Sequence, residues 1–421
     1  MLLSFRCSNY RSIRDEQELS MIAGPTRNLE NHVYTIKDGH GNPIQVLKGA
    51  LLFGANGSGK SNFFKAIRFS TKLIIRDKPD FESTNYYVMD PSYAKKPSSF
   101  EYEFEMKGHI YRYGFEIILS TKTIISEYLS EIYVDGDDSL IFTRGENGKC
   151  ALGDDKYDNG ETELFIHKGR REEFYKKGEK HELMHLVCNW FFYTMATLEP
   201  DSSLLYNYDF KKKENIEMMG RFLSRFDTGI TGMDFFQWKD GEEKLEAVRN
   251  CRIRTDSNIL VGKDVVYKEE GEYKDRYVLR CVHGDSKTPV RSDQESDGTK
   301  RLWKLSPVIL RDDIEFVYVI DELDRYLHPK VVYGFIEWFM KKNFEIPKQI
   351  IGISHNSHLL DQNLIRRDEI WFADKDADGA SKLCSLDDYN VRFDKKIEKA
   401  YLEGNFRGLP NIVLPSDLDD S

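Results

Sequence analysis

The stretch that decides the fold is Val46-Leu47-Lys48-Gly49-Ala50-Leu51-Leu52-Phe53, running straight into Gly54-Ala55-Asn56-Gly57-Ser58-Gly59-Lys60-Ser61. The apolar run reads as a buried strand. From Lys60 to about Ile75, Phe64, Ile67 and Thr71 recur at helical spacing. A strand, a glycine-rich turn ending in Lys-Ser and a helix form the setting of a phosphate-binding loop. Small residues let consecutive backbone N–H groups curl round the β- and γ-phosphates, while Lys60 supplies a point charge. The hydroxyl of Ser61 is placed to ligate Mg²⁺. The nucleotide-contacting stretch is therefore Asn56, Gly57, Ser58, Gly59, Lys60, Ser61 and Asn62, with ATP and Mg²⁺ as expected cofactors.

Three further segments follow in an order that makes chemical sense. Glu295-Ser296-Asp297-Gly298-Thr299-Lys300-Arg301-Leu302 opens a helical stretch. Ser296 and Gly298 there could offer a hydroxyl and N–H groups to an anion, or simply cap a helix. Phe316-Val317-Tyr318-Val319-Ile320 is an apolar strand ending in Asp321-Glu322. Asp321 is then placed for the Mg²⁺ shell and Glu322 for polarising an attacking water. Ile350-Ile351-Gly352-Ile353 is a second apolar strand, ending in Ser354-His355-Asn356. At that distance past the acidic pair, His355 can reach a γ-phosphate.

Around these signals the chain is ordinary. Its 421 residues suffice for two or three domains, or one domain with a large insertion. No run of about 18 apolar residues exists, so no membrane partner is expected. The opening MLLSFRCSNYRS lacks an apolar leader core, which predicts a cytoplasmic location. The six cysteines are scattered without a C-x-x-C pair, so a disulfide framework or zinc ribbon is not expected. A net charge of −10 argues against non-specific nucleic-acid binding.

The expected fold class is α/β: an ATPase head with a mixed sheet, an antiparallel β meander and a partly helical insertion. Residues 1–75 form the first ATPase part, opened by the alternating strand Leu3, Phe5, Cys7. Residues 76–160 hold the meander, read from the alternation of aromatic and charged residues over 98–145 and from turns at Lys107-Gly108 and Asp135-Gly136. Residues 161–245 form the insertion, read as helical from 162 to about 226. Residues 246–289 form a β segment, and 290–421 the second ATPase part, ending in a short acidic tail.

The order of phosphate loop, Ser-x-Gly signature, acidic strand and strand-end histidine is similar to the ATP-binding-cassette ATPases. The opening Asn9-Tyr10-Arg11-Ser12, the turn Leu327-His328-Pro329 and the segment SHNSHLLD resemble the SMC/RecF/OLD branch more narrowly. ESDGTKRL, Asp227-Thr228-Gly229-Ile230, IWFADKDADGASKL and YLEGNFRGLP resemble the RloA-, AbiL- and AriA-like bacterial anti-phage ATPases. The resemblance covers roughly 1–75 and 290–410. It implies two heads closing head-to-tail on two ATP molecules, or a higher homo-oligomer. Ser296 and Gly298 of one subunit would close on the γ-phosphate held by Lys60 of the other. Glu322 would be the general base, His355 the γ-phosphate sensor, and Arg11 a phosphate contact in cis. The implied function is an ATP-hydrolysing switch that senses phage infection and holds or releases a separately encoded toxic effector. The alternative is a RecF- or SMC-like DNA-repair ATPase that clamps DNA, although no long coiled coil occupies the insertion. The signature departs from the transporter pattern. Gln237 falls in the interval of the family's metal-linking glutamine without its context, so hydrolysis is expected to be slow or partner-gated.

Two motifs pull elsewhere. His181-Glu182-Leu183-Met184-His185 is a literal H-E-x-x-H and raises a zinc metalloprotease as a second alternative. Charged Glu179-Lys180 precede it and no third ligand follows, so an amphipathic insertion helix is expected. Asp374-Lys375-Asp376-Ala377-Asp378-Gly379 imitates a calcium loop, but Ser385 stands where Glu should close it. A turn between two strands is expected instead. Gly169-Arg170-Arg171 and Lys211-Lys212-Lys213 are basic spots, read as solvated faces or as contacts for nucleic acid or an acidic partner.

Overall fold

The computed structural model describes residues 1–26, 28–76, 81–202, 213–238, 258–261, 264–269, 272–286, 288–389 and 396–406. Cys251, Lys211, Lys212, the acidic tail and the end of YLEGNFRGLP lie outside them. Two compact units emerge, each discontinuous in sequence. The first holds Met1–Thr197, Ile314–Leu323 and Asn343–Ser421; the second holds Leu198–Asp313 and Asp324–Lys342.

In the first unit the described residues form an eight-stranded antiparallel sheet and a six-stranded mixed sheet. The eight-stranded sheet contains Leu2–Ser8 and the meander from Ser98–Met106 to Asp155–Asp158. In the six-stranded sheet the order is Met195–Leu198, Phe316–Ile320, Lys348–Ile353, Gly49–Phe53, Ile370–Lys375, Ser381–Ser385. Gly49–Phe53 lies between Lys348–Ile353 and Ile370–Lys375, parallel to both, and Lys348–Ile353 is parallel to Phe316–Ile320. These strands are buried along their whole length apart from the end of Ile370–Lys375. Burial on both faces is why they read as unbroken apolar runs rather than alternations.

The helix Lys60–Ile75 buries Phe63, Phe64, Ile67, Leu73 and Ile74 in one core shared with both sheets. Phe63 meets Phe5 edge-on at 5.4 Å, and the Tyr102 hydroxyl lies 2.6 Å from Ser70 Oγ. A fully buried aromatic of this kind stabilises by roughly 1.5–3 kcal/mol. The two sheets are joined through buried Gln349, which donates to Leu2 O and Leu47 O and accepts from Leu2 N. The helix ends where His167 Nε2 donates to Leu73 O at 2.9 Å and Arg170 Nη1 to Ile75 O at 2.7 Å. Donors at a helix C-terminus satisfy its last carbonyls and complement its dipole.

The stretch expected to be helical contains Glu172–Tyr175, Glu179–Thr194 and Lys213–Ser224 as helices. It also contains a short strand, Met195–Leu198, at the edge of the mixed sheet beside Phe316–Ile320. Four residues are too short to show a period of two, and pairing decides their conformation.

The second unit carries an antiparallel sheet of Ile230–Trp238, Asn258–Val261, Asp264–Glu269, Glu272–His283 and Val290–Arg291. Among its described residues the helices are Lys213–Ser224, Asp297–Leu310 and Pro329–Lys341. Trp338 stacks on Phe222 at 5.3 Å and on Phe226 at 5.9 Å. Gln237 lies on the strand Ile230–Trp238.

Candidate nucleotide-binding site

The parallel strands of the mixed sheet run in register, with Ile320 beside Gly352 and Ile353 beside Leu52. Their carboxyl ends therefore deliver Gly54, Asp321 and Ser354 to one edge, where ligands of parallel sheets bind. The phosphate loop turns there without a side-chain cap. Gly59 is left-handed at φ 105°, and a Cβ on it would lie 1.9 Å from Ser381 Oγ. Gly57 is also left-handed, at φ 78°, and a Cβ on it would meet nothing within 4 Å. The loop is thus pressed against the protein at Gly59 and open to a ligand at Gly57.

Lys60 is buried and its ammonium donates to Gly54 O at 2.6 Å and Ala55 O at 2.8 Å, spanning the loop. Ser58 Oγ is buried and has no hydrogen-bond partner among the described residues. An orphaned hydroxyl in a glycine-rich loop fits a phosphate ligand. Ser61 Oγ donates to Asp321 Oδ1 at 3.2 Å across 260 residues of sequence. Burial pushes the Asp321 carboxyl up, Ser61 opposes the shift, and the charge of Glu322 adds to it. A hydroxyl and a desolvated carboxylate side by side suit a hard divalent cation such as Mg²⁺.

Glu322 follows in a left-handed conformation, φ 46°. For a residue with a Cβ this costs roughly 1–2 kcal/mol. The turn is held by Glu322 N donating to Asp321 Oδ1 at 3.1 Å and by Leu323 N donating to Ile353 O at 2.8 Å. Backbone strain of this kind concentrates at functional sites. After the neighbouring strand, Ser354 is buried, its N–H donates to Leu52 O, and its Oγ accepts from Asn356 N at 3.0 Å. His355 between them is exposed.

The Asn9–Ser12 turn is built into the same region. Asn9 and Arg11 are both left-handed, and Arg11 N donates to Asn85 O at 2.7 Å. Asn9 Nδ2 donates to the carbonyls of Tyr93, Lys96 and Pro97. Ser12 Oγ accepts from Asn62 Nδ2 at 2.7 Å and lies 2.7 Å from Ser381 Oγ. Ser12 and Ser381 thus brace the start of the phosphate-loop helix. Ser381 carries no signal in the sequence, because its partner lies 369 residues away. Asp374 and Lys375 end the strand Ile370–Lys375, and Asp376–Gly379 form a tight turn into the antiparallel strand Ser381–Ser385. Arg14 donates to Asp376 and Asp378 there.

Ser296 and Gly298 belong to the second unit. Ser296 is the N-cap of Asp297–Leu310, its Oγ accepting from Thr299 N at 3.1 Å. A Cβ on Gly298 would lie 2.8 Å from Tyr326 O.

The H-E-x-x-H histidines are engaged elsewhere. His181 Nε2 lies 2.7 Å from Tyr157 Oη, and burial lowers its pKa. His185 Nδ1 donates to Gly169 O, and its Nε2 accepts from Asn189 Nδ2, both at 2.9 Å. Among the described residues no group of three His, Cys, Asp or Glu side chains could hold a metal ion by itself.

Residues 50–163 and 196–361 match the family described as "AAA domain, putative AbiEii toxin, Type IV TA system". The chain belongs to this family. It is a P-loop ATPase by membership, with an α/β head that contains a mixed sheet, an antiparallel meander and helices in the insertion. Among solved structures it is similar to an SMC head bound to the C-winged helix domain of ScpA, at 14% identity, covering 91% of this chain and 97% of that one, TM-score 0.43. It is likewise similar to the SMC head domain from Thermotoga maritima, at 14% identity, covering 91% and 98%, TM-score 0.38. No curated protein matches the sequence. Among the described residues no helix is long and apolar enough to cross a membrane.

Proposed function

We propose that this chain is an ATP-hydrolysing switch of the RloA/AbiL/AriA-like kind, working in the cytoplasm, which assembles head-to-tail and holds or releases a separately encoded toxic effector during phage infection. The observation that carries the reading is the Ser61–Asp321 contact at 3.2 Å, with Glu322 next in sequence at the mouth of the phosphate loop.

Lys60 and the loop N–H groups would hold the β- and γ-phosphates of ATP, and Asn62 would be oriented by Ser12. Ser61 and Asp321 would hold Mg²⁺, which neutralises charge on the transferring phosphoryl group. Glu322 would orient and deprotonate the attacking water. His355 and Arg11 would report on the γ-phosphate. Ser296 and Gly298 of a second subunit would complete the site by offering a hydroxyl and a helix N-terminus to the same phosphate. Coupling ATP state to assembly gives an interface that appears and disappears with nucleotide, which is what an effector-holding device needs.

The family description names a toxin–antitoxin setting, which supports a separately encoded partner. The net charge of −10 favours a protein partner over a nucleic-acid clamp. The test is a phage-infection assay on cells carrying the chain with its gene neighbours. Wild type is expected to protect, and Lys60→Ala is expected to abolish protection or release toxicity. Protection unaffected by Lys60→Ala, or ATP turnover that rises only on adding DNA, would move the chain to the DNA-clamping reading.

A further inference from the structure

Glu295 stands immediately before the N-cap Ser296. Its side chain is only 8% exposed, and its Oε1 accepts from His283 Nε2 at 2.7 Å. An acidic residue beside a helix N-terminus normally roams in solvent; this one is clamped. His283 ends the strand Glu272–His283, opposite Ile230 of the neighbouring strand. The strand end is itself fixed, since Thr231 Oγ1 donates to Val282 O at 3.2 Å and to Gly284 O at 3.0 Å. Cys281 packs on the same side of the strand, and its thiol is pushed up to about 12 by burial and then by the Glu295 charge. Glu295, Cys281, Thr299 and Trp303 line a cleft too tight for a water molecule. On the other side of the Ser-x-Gly segment, Gly298 is pressed against Tyr326 O. The segment is therefore gripped at both ends.

The geometry points to His283 as a positioning residue for ATP hydrolysis: through Glu295 it fixes Ser296 and Gly298 for the γ-phosphate bound in a partner subunit. The inference rests on the head-to-tail reading above. Groups that must meet a phosphate across an interface act only if their placement is settled before the subunits meet. A hydrogen-bonded carboxylate one residue from the contacting hydroxyl supplies that placement. It also links the segment to the antiparallel sheet of the second unit.

The test is a mixing experiment with two inactive full-length parents. Lys60→Ala lacks the phosphate lysine but keeps Ser296, and Ser296→Arg keeps Lys60 but loses the signature hydroxyl. In a mixture, heterodimers contain one intact composite site, and turnover is expected to recover to roughly a quarter of wild type. Adding His283→Ala to the Lys60→Ala parent is expected to lower that recovered turnover at least about tenfold, within the cost of misplacing a positioning group. Adding it to the Ser296→Arg parent, whose signature is already dead, is expected to leave recovery intact. That arm also shows that the His283→Ala chain folds. His283→Gln in the Lys60→Ala parent, with an amide to donate to Glu295, is expected to restore most of the loss. Equal loss in both parents, or no loss in either, overturns the positioning role. A mixture of the two parents that stays inactive overturns the head-to-tail reading itself.

Discussion

Ser61 Oγ donates a 3.2 Å hydrogen bond to Asp321 Oδ1, joining the first turn of the phosphate-loop helix to the end of a strand 260 residues away. On the proposed reading, the contact sets side by side the two groups that would hold Mg²⁺. Asp321→Asn is therefore expected to lower Mg²⁺-dependent ATP turnover on the order of 10²-fold, while nucleotide binding in excess EDTA changes little. Isothermal titration with and without Mg²⁺ checks the split. Equal weakening under both conditions would place Asp321 in the fold rather than at the metal.

Gly59 is irreplaceable for two separable reasons. Its φ of 105° disfavours any side chain, and an added Cβ would strike Ser381 Oγ at 1.9 Å. The backbone part of the cost is roughly 1–2 kcal/mol. Gly59→Ala is expected to lower the melting temperature and abolish ATP binding. Gly59→Ala with Ser381→Gly is expected to recover part of the stability but not all. Complete recovery would show that the clash alone matters.

Stability should respond to pH through Glu127. This carboxyl is fully buried, accepts from Phe165 N, Ile166 N and Tyr113 Oη, and is pushed up to about 7, chiefly by burial. A raised carboxyl favours folding below its unfolded pKa of about 4.3, and that contribution fades as pH rises towards 7. Wild type should therefore lose stability relative to Glu127→Gln between about pH 4.5 and 7, by up to about 3 kcal/mol. Melting curves across that window test it; a constant difference between the two proteins contradicts it.

The histidine pair of the insertion helix should behave as structure. His181→Ala removes the bond to Tyr157 and is expected to cost about 1–2 kcal/mol, with no change in metal content or ATP turnover. His185→Ala should do the same through Gly169 and Asn189. Stoichiometric zinc in the purified protein, lost in either variant, would revive the metalloprotease reading.

Much of the fold is legible because its decisive signals are local. The phosphate loop carries its own strand and helix, and Asp321 announces itself as a carboxylate ending an apolar run. The meander shows in the alternation of Phe100, Tyr102 and Phe104, all buried on one strand. Contacts that depend on chain closure are another matter. The Ser12–Asn62–Ser381 junction joins residues 50 and 369 positions apart, and nothing near Ser381 hints at it. Met195–Leu198 adopts its strand because an edge of the mixed sheet is free to pair, not because four residues show a pattern. The left-handed turn at Glu322 is likewise imposed from outside, by the bond from Leu323 N to Ile353 O on the adjacent strand. The His181 and His185 pattern misleads for the converse reason. It is a local signal whose side chains are claimed by Tyr157, Gly169 and Asn189.

The central claim is that Glu322 is the group that activates water, and that stopping it traps the ATP-bound assembly. The most direct measurement is ATP turnover and particle mass of Glu322→Gln beside wild type, each with ATP and Mg²⁺. The variant is expected to bind ATP, turn over at least about 10²-fold more slowly, and accumulate as a dimer or larger particle. A variant that hydrolyses ATP at the wild-type rate, or that binds ATP and stays monomeric, would contradict it.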